Sequence, residues 1–183
     1  MTREHRQGLQ HLKGWAKQLS GIDSPSGLLN RHGWVTLAAK DLQRAARNGQ
    51  RASTLLIGVD GLSKVMDQFG YAVREQALQC VAEILESQLR PGDLLGRWTD
   101  SRFILFLSAE DSVCLPLIAE RLRQAVEATP LLAGEEVLRL TISGGGATVS
   151  AETGTLHELD RLIALAEQRL AQGGLCGPNQ LIL

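Results

Sequence analysis

Arg90 and Asp93 flank Pro91-Gly92, a turn-forming pair able to hold a guanidinium and a carboxylate side by side on one rigid corner. Such a pair is either a surface ion pair or a donor and an acceptor set to receive a ligand. Downstream, Leu94 and Leu95 and then the apolar run Phe103 to Leu107 read as two strands. The polar connection from Arg97 to Arg102 makes them a hairpin with its tip displayed to solvent or ligand. That tip, Trp98, Thr99, Asp100, Ser101 and Arg102, is chemically mixed, with no convergent acid pair, His or Cys. Asp60, closing the apolar run Leu55 to Val59, is a further acid, and a lone acid at a strand end is more often structural than metal-binding. Gly58, two residues earlier, has no side chain to offer a cation that wants hard oxygen donors.

The elements that position these residues follow from periodicity. A helix from about His32 to Arg47 places Val35, Ala38, Leu42 and Ala45 on one face and ends at Asn48-Gly49. A helix through Leu78, Val81, Leu85 and Leu89 delivers the chain to Arg90. Asp111 or Ser112 can cap a helix running to about Ala128, with Ile118, Leu122 and Ala125 inward. Leu138, Leu140 and Ile142 alternate with polar residues as one half-buried strand, and Gly144 to Gly146 read as its exit rather than as a phosphate loop. Thr155 and Glu158 form a capping box for a last helix, with Leu159, Leu162, Ile163, Ala166 and Leu170 on its inner face. At the other end, Leu9, Leu12, Trp15, Ala16 and Leu19 form an apolar stripe, predicting an N-terminal amphipathic helix over 1–22. That helix dimerises or signals, or packs back on its own domain; a membrane-surface contact is a weaker alternative because the stripe is narrow.

The 183 residues fit one domain, and 44% apolar with 21% charged residues is the balance of a globular protein. A net charge of -1 gives no electrostatic reason to expect nucleic acid. Cys80, Cys114 and Cys176 are widely spaced and odd in number, which reads as reduced thiols in a cytoplasmic protein. No apolar run approaches membrane-spanning length.

Several stretches in register resemble one family. Asp23 to Arg31, D-S-P-S-G-L-L-N-R, is similar to the element that opens GGDEF (diguanylate cyclase) domains, matching at Asp23, Gly27, Leu28, Asn30 and Arg31. Lys64 to Val81 keeps the family pattern at Val65, Asp67, Phe69, Gly70, Leu78 and Val81, and Leu140 to Ala147 resembles its L-T-x-S-x-G-x-A strand. Arg90 and Asp93 stand at the spacing of the family's R-x-x-D inhibitory site for cyclic di-GMP, and Ala119-Glu120-Arg121 matches the A-E-R segment that supplies that site with a further Arg. The resemblance runs from Asp23 to Leu183 and implies an α/β domain over 23–183. Its fold would be ferredoxin-like, a mostly antiparallel central sheet flanked by helices.

At the family's active-site positions the residues depart from the pattern. The namesake motif falls on Thr99, Asp100, Ser101, Arg102 and Phe103, where only Phe103 keeps the family residue. Gly58 and Ser101 stand for the magnesium-binding acids, Met66 and Glu75 for the guanine-reading Asn and Asp, and Gly174 for the phosphate-binding Lys. Met66 is expected as an apolar core or pocket-filling side chain, while Glu75 still offers an acceptor. The resemblance with these departures implies a domain that is not an enzyme and needs no cofactor or metal. It would act as a cyclic di-GMP receptor through Arg90, Asp93 and Arg121, with a protein partner or a second copy reading the output. The alternative is a ligand-independent interaction or dimerisation scaffold, and a cyclase in a mixed dimer comes third.

Overall fold

The computed structural model describes residues 21–24, 26–107, 114–133 and 135–183. The expected N-terminal helix and the Asp111 or Ser112 cap lie outside the described residues. After a turn built on Gly27, at φ 72°, the helix α1 (Arg31–Arg47) starts at Asn30, whose side chain accepts from the Gly33 N–H at 2.9 Å. Strand β1 (Arg51–Val59) follows, then α2 (Leu62–Ser87) and the hairpin of β2 (Leu94–Thr99) and β3 (Arg102–Leu107). Helix α3 (Leu115–Ala128) leads to a two-stranded ribbon, β4 (Pro130–Ala133) and β5 (Glu136–Arg139). Strand β6 (Ile142–Ser150), helix α4 (Leu156–Cys176) and the short β7 (Leu181–Ile182) complete the chain.

The main sheet has the order β2-β3-β1-β6-β7; every pairing is antiparallel except β6 with β7. The expected mostly antiparallel α/β architecture is therefore present, with one parallel pair at an edge. Because β1 is central, both of its faces are buried: Leu55, Ile57 and Val59 pack with α2 and α3, while Ala52 and Leu56 pack with α1 and α4. Gly145 lies in β6 where a Cβ would stand 2.2 Å from the Ala166 carbonyl oxygen, so only glycine lets α4 lie this close to the sheet. The glycines Gly144 to Gly146 are thus interior strand residues paired with β1, not a strand exit. The single strand expected from Leu138 to Ser143 is divided between β5 and β6, because Leu140 turns into the core and the pairing partner changes from β4 to β1.

Helix α2 is also two helices. At Gly70 the backbone takes φ 84°, ψ 177°, a conformation essentially restricted to glycine, and the chain restarts at Tyr71 in a new direction. The second half carries Ala77, Leu78, Val81 and Leu85 into the core and presents Tyr71, Arg74 and Glu75 to the hairpin tip.

Candidate functional site

The corner between α2 and β2 is a tight turn with reciprocal bonds. The Asp93 N–H donates to the Arg90 carbonyl at 3.1 Å, and the Arg90 N–H donates to Asp93 Oδ2 at 3.1 Å. Gly92 sits at φ 107°, which permits the reversal. One carboxylate oxygen of Asp93 is thereby used by the turn. Its other oxygen, Oδ1, is buried and has no hydrogen-bond partner among the described residues. Such a buried orphan acceptor is rare in folded proteins and calls for a partner. Arg90 and Asp93 line a cavity of about 400 Å³, with Ile22, Leu29, Leu89 and Leu94 among its walls. From α3, the exposed Arg121 donates from Nη2 to the Gln88 carbonyl at 2.6 Å, two residues before Arg90. Arg90 and Asp93 therefore share one corner, and Arg121 is fastened to the chain two residues before it and is not among the cavity walls.

The corner and the hairpin tip are the two ends of β2. Its outer edge is joined by Leu29, whose carbonyl accepts from the Arg97 N–H at 2.7 Å. Its inner face carries Trp98, which is only 6% exposed and meets Trp34 edge to face at a centroid distance of 5.8 Å. Arg31 lies over Trp98 at 4.1 Å, and Glu167 accepts from its indole N–H at 3.3 Å. Trp98 is thus a core residue and not part of the displayed tip, which is narrowed to Asp100 and Ser101.

Around that tip lies a second cavity, of about 340 Å³, with Asp23, Tyr71, Arg74, Glu75, Arg97 and Asp100 among its walls. Thr99, Asp100 and Arg102 are exposed, and Ser101 is half-buried with its carbonyl 3.4 Å from the Val59 nitrogen. Gly58 pairs with Arg102 across β1 and β3, so two of the positions matched to the active site are neighbours. Met66, expected as a core or pocket-filling side chain, is 45% exposed and is not among the walls of this cavity: it follows Val65, which takes the inward position on the first half of α2. Gly174 is exposed on α4, with open space where a Cβ would stand.

Asp60 was expected to be structural, and its surroundings agree. Oδ1 accepts from Ser143 Oγ at 2.9 Å, and Oδ2 accepts from Thr141 Oγ1 at 2.8 Å and the Asn179 N–H at 2.9 Å. The carboxylate fastens β1, β6 and the C-terminal segment together. Asp60 is spent on these bonds and, as placed, has no oxygen aimed at the cleft for the magnesium that the resemblance implies.

The profile of the family described as "Diguanylate cyclase, GGDEF domain" matches residues 20–180. The chain belongs to the GGDEF family. It is 30% identical over 167 residues to the response regulator PleD of Caulobacter vibrioides, covering 90% of this chain and 36% of PleD, so it spans about a third of that relative's length. Among solved structures, it matches the diguanylate cyclase SiaD from Pseudomonas aeruginosa, in complex with its activator SiaC, with a TM-score of 0.81 at 26% identity, covering 98% of this chain and 67% of that one. It also matches the GGDEF domain of DgcB from Caulobacter crescentus in complex with c-di-GMP, with a TM-score of 0.80 at 19% identity, covering 89% of this chain and 92% of that one. The family overturns the expectation of a non-enzyme. That expectation rested on side chains absent from matched positions, whereas the family profile and the diguanylate cyclase SiaD match the chain as a whole. No described helix is long and apolar enough to cross a membrane.

Proposed function

We propose that this GGDEF domain binds cyclic di-GMP at the corner formed by Arg90 and Asp93, with Arg121 assisting from α3. Guanine offers N7 and O6 to a guanidinium fork, the match that makes Arg its usual reader. Its opposite edge offers N1–H and N2–H, which a fixed carboxylate accepts together. The observation that carries the reading is Asp93: the turn holds its carboxylate in place through Oδ2 while Oδ1 is left without a partner. Oδ1 is enclosed, so the corner has to open for a guanine N–H to reach it, and the gain is a partner for an acceptor that the turn has already ordered. Arg121, anchored to the Gln88 carbonyl beside the corner, is the residue assigned to a phosphate or the second base of the ligand in this reading. The R-x-x-D spacing and the fold shared with a domain solved in complex with c-di-GMP support the same reading.

Calorimetric titration with cyclic di-GMP and with cyclic di-AMP tests it. Cyclic di-GMP should bind with a dissociation constant at or below the micromolar range, and cyclic di-AMP, whose base lacks the paired N–H edge, should bind far more weakly. Absence of binding at high micromolar cyclic di-GMP overturns the reading, and the interaction-scaffold alternative then takes its place. Equal affinity for the two would locate the recognition in phosphates rather than in Asp93.

A further inference from the structure

Glu75, in the tip cleft, already has cationic company. Arg74 Nη1 donates to Glu75 Oε1 while Arg74 Nη2 donates to the Asp100 carbonyl at 3.2 Å. Arg97 Nη2 donates to the same carbonyl at 2.7 Å and lies 3.8 Å from Glu75 Oε2. Neighbouring residues on a helix point in different directions and do not normally face one another. The Arg74 guanidinium instead bridges Glu75 and the Asp100 carbonyl across the cleft. Both guanidiniums are largely enclosed, with side-chain exposures of 14% for Arg74 and 11% for Arg97, whereas Glu75 keeps 26% toward the cavity.

We infer that Arg74 is an internal competitor for the Glu75 carboxylate and so sets the affinity of this cleft for a guanine nucleotide. A carboxylate accepts only, and its natural small-molecule complement is a base edge with two adjacent N–H donors. Guanine has that edge; adenine, with an acceptor at N1, does not. For guanine to engage both oxygens, Arg74 has to leave Oε1, breaking a charge-assisted bond and loosening its hold on the tip. Arg97 stays behind, 3.8 Å from Oε2, beside the incoming base. The same swing of Arg74 frees one of the two donors that fix the Asp100 carbonyl, so occupancy of the cleft and mobility of the tip change together. This inference concerns a cavity separate from the Arg90–Asp93 corner and stands whatever that corner binds.

The test is fluorescence titration of the full chain, Arg74→Ala and Arg74→Gln with fluorescent guanosine and adenosine triphosphate analogues in magnesium buffer. Release of one charged hydrogen bond should tighten guanosine-analogue binding by about tenfold in both variants. The adenosine analogue should be unaffected, and Glu75→Gln added to either variant should remove the gain. Arg74→Gln keeps a donor for the Asp100 carbonyl, so it reports on the competition even if the alanine variant folds poorly. Unchanged or weaker guanosine binding in Arg74→Gln overturns the inference, the weaker result assigning Arg74 to the ligand's phosphates instead. An equal gain for both analogues overturns it too, because the cleft would then have been opened without any reading of the base.

Discussion

The two ends of β2 treat a carboxylate in opposite ways. At the α2–β2 corner, Asp93 gives one oxygen to the turn and keeps the other buried without a partner among the described residues. At the tip, Glu75 is flanked by Arg74 and Arg97, and both arginines also hold the Asp100 carbonyl. The first group is ordered but unsatisfied, and the second is satisfied within the chain. A ligand gains most where the protein has already met the cost of ordering a polar group and left it without a partner. The same ligand gains least where it has to break an internal ion pair first. The contrast explains why one domain with two cavities of similar size is expected to offer one ready site and one restrained site.

Four further substitutions sharpen this contrast by separating fold from site. Asp60 has both oxygens occupied by fixed donors, so Asp60→Ala should be the costliest, lowering stability by about 3 kcal/mol in urea denaturation as three hydrogen bonds are lost. If that variant is as stable as the parent, satisfied and unsatisfied carboxylates do not differ in the way argued. Gly70→Ala should cost about 2 kcal/mol, because no other residue adopts φ 84°, ψ 177° without strain. It should also disturb the tip cleft that the second half of α2 lines while leaving cyclic di-GMP binding at the corner intact. Equal losses at both sites would show that the two ends of β2 are not independent.

A smaller effect is expected at Glu158. Its carboxylate is partly desolvated, which raises its pKa, yet the N–H groups of Glu152, Thr153 and Gly154 and the Thr153 hydroxyl outweigh that and hold it below the ordinary value of 4.5. A folded-state pKa below the unfolded one means that its contribution is complete above 4.5 and is lost as pH falls through the lower folded value. Glu158→Gln should therefore cost about 1 kcal/mol at neutral pH, with the gap to the parent closing in acid and no change in ligand binding. The smallest effect is expected of Arg121→Ala, an exposed side chain beside the corner. It should weaken cyclic di-GMP binding by about 0.5 kcal/mol without moving the melting temperature.

Much of this frame was legible in the sequence, because hydrophobic periodicity is a direct consequence of burial. The inner face of α4, Leu159, Leu162, Ile163, Ala166 and Leu170, is buried as expected, and Asn30 and Thr155 cap their helices through their side-chain oxygens. The inner face of α3 needed adjustment, since Val126 is buried where Ala125 was expected and Ala125 is half-buried. Local pattern could not show where a partner strand changes, so the β5–β6 division was missed. Nor could it show that Trp98 turns inward, because that depends on Trp34 and Arg31 approaching from α1. Trp34, fully buried in α1, was missed on the same grounds. For the corner, the resemblance to the family's R-x-x-D and A-E-R segments put Arg90, Asp93 and Arg121 in one set. The unpaired Asp93 Oδ1 was not visible there, since it depends on which backbone donors the turn aims at the carboxylate. The Arg74 contact across the tip was missed for a similar reason: adjacent helical residues ordinarily diverge, and here the guanidinium bridges Glu75 and the Asp100 carbonyl.

Calorimetric titration of cyclic di-GMP against the parent protein and Asp93→Asn tests the central claim most directly. The amide keeps the size of the side chain and one acceptor for the Arg90 N–H, but it presents donors where guanine also presents donors. The affinity should fall by roughly 1.5–3 kcal/mol, tenfold or more, with the melting temperature unchanged. Equal affinity in the two proteins would contradict the account, because the unpaired oxygen of Asp93 would then have no part in holding the ligand.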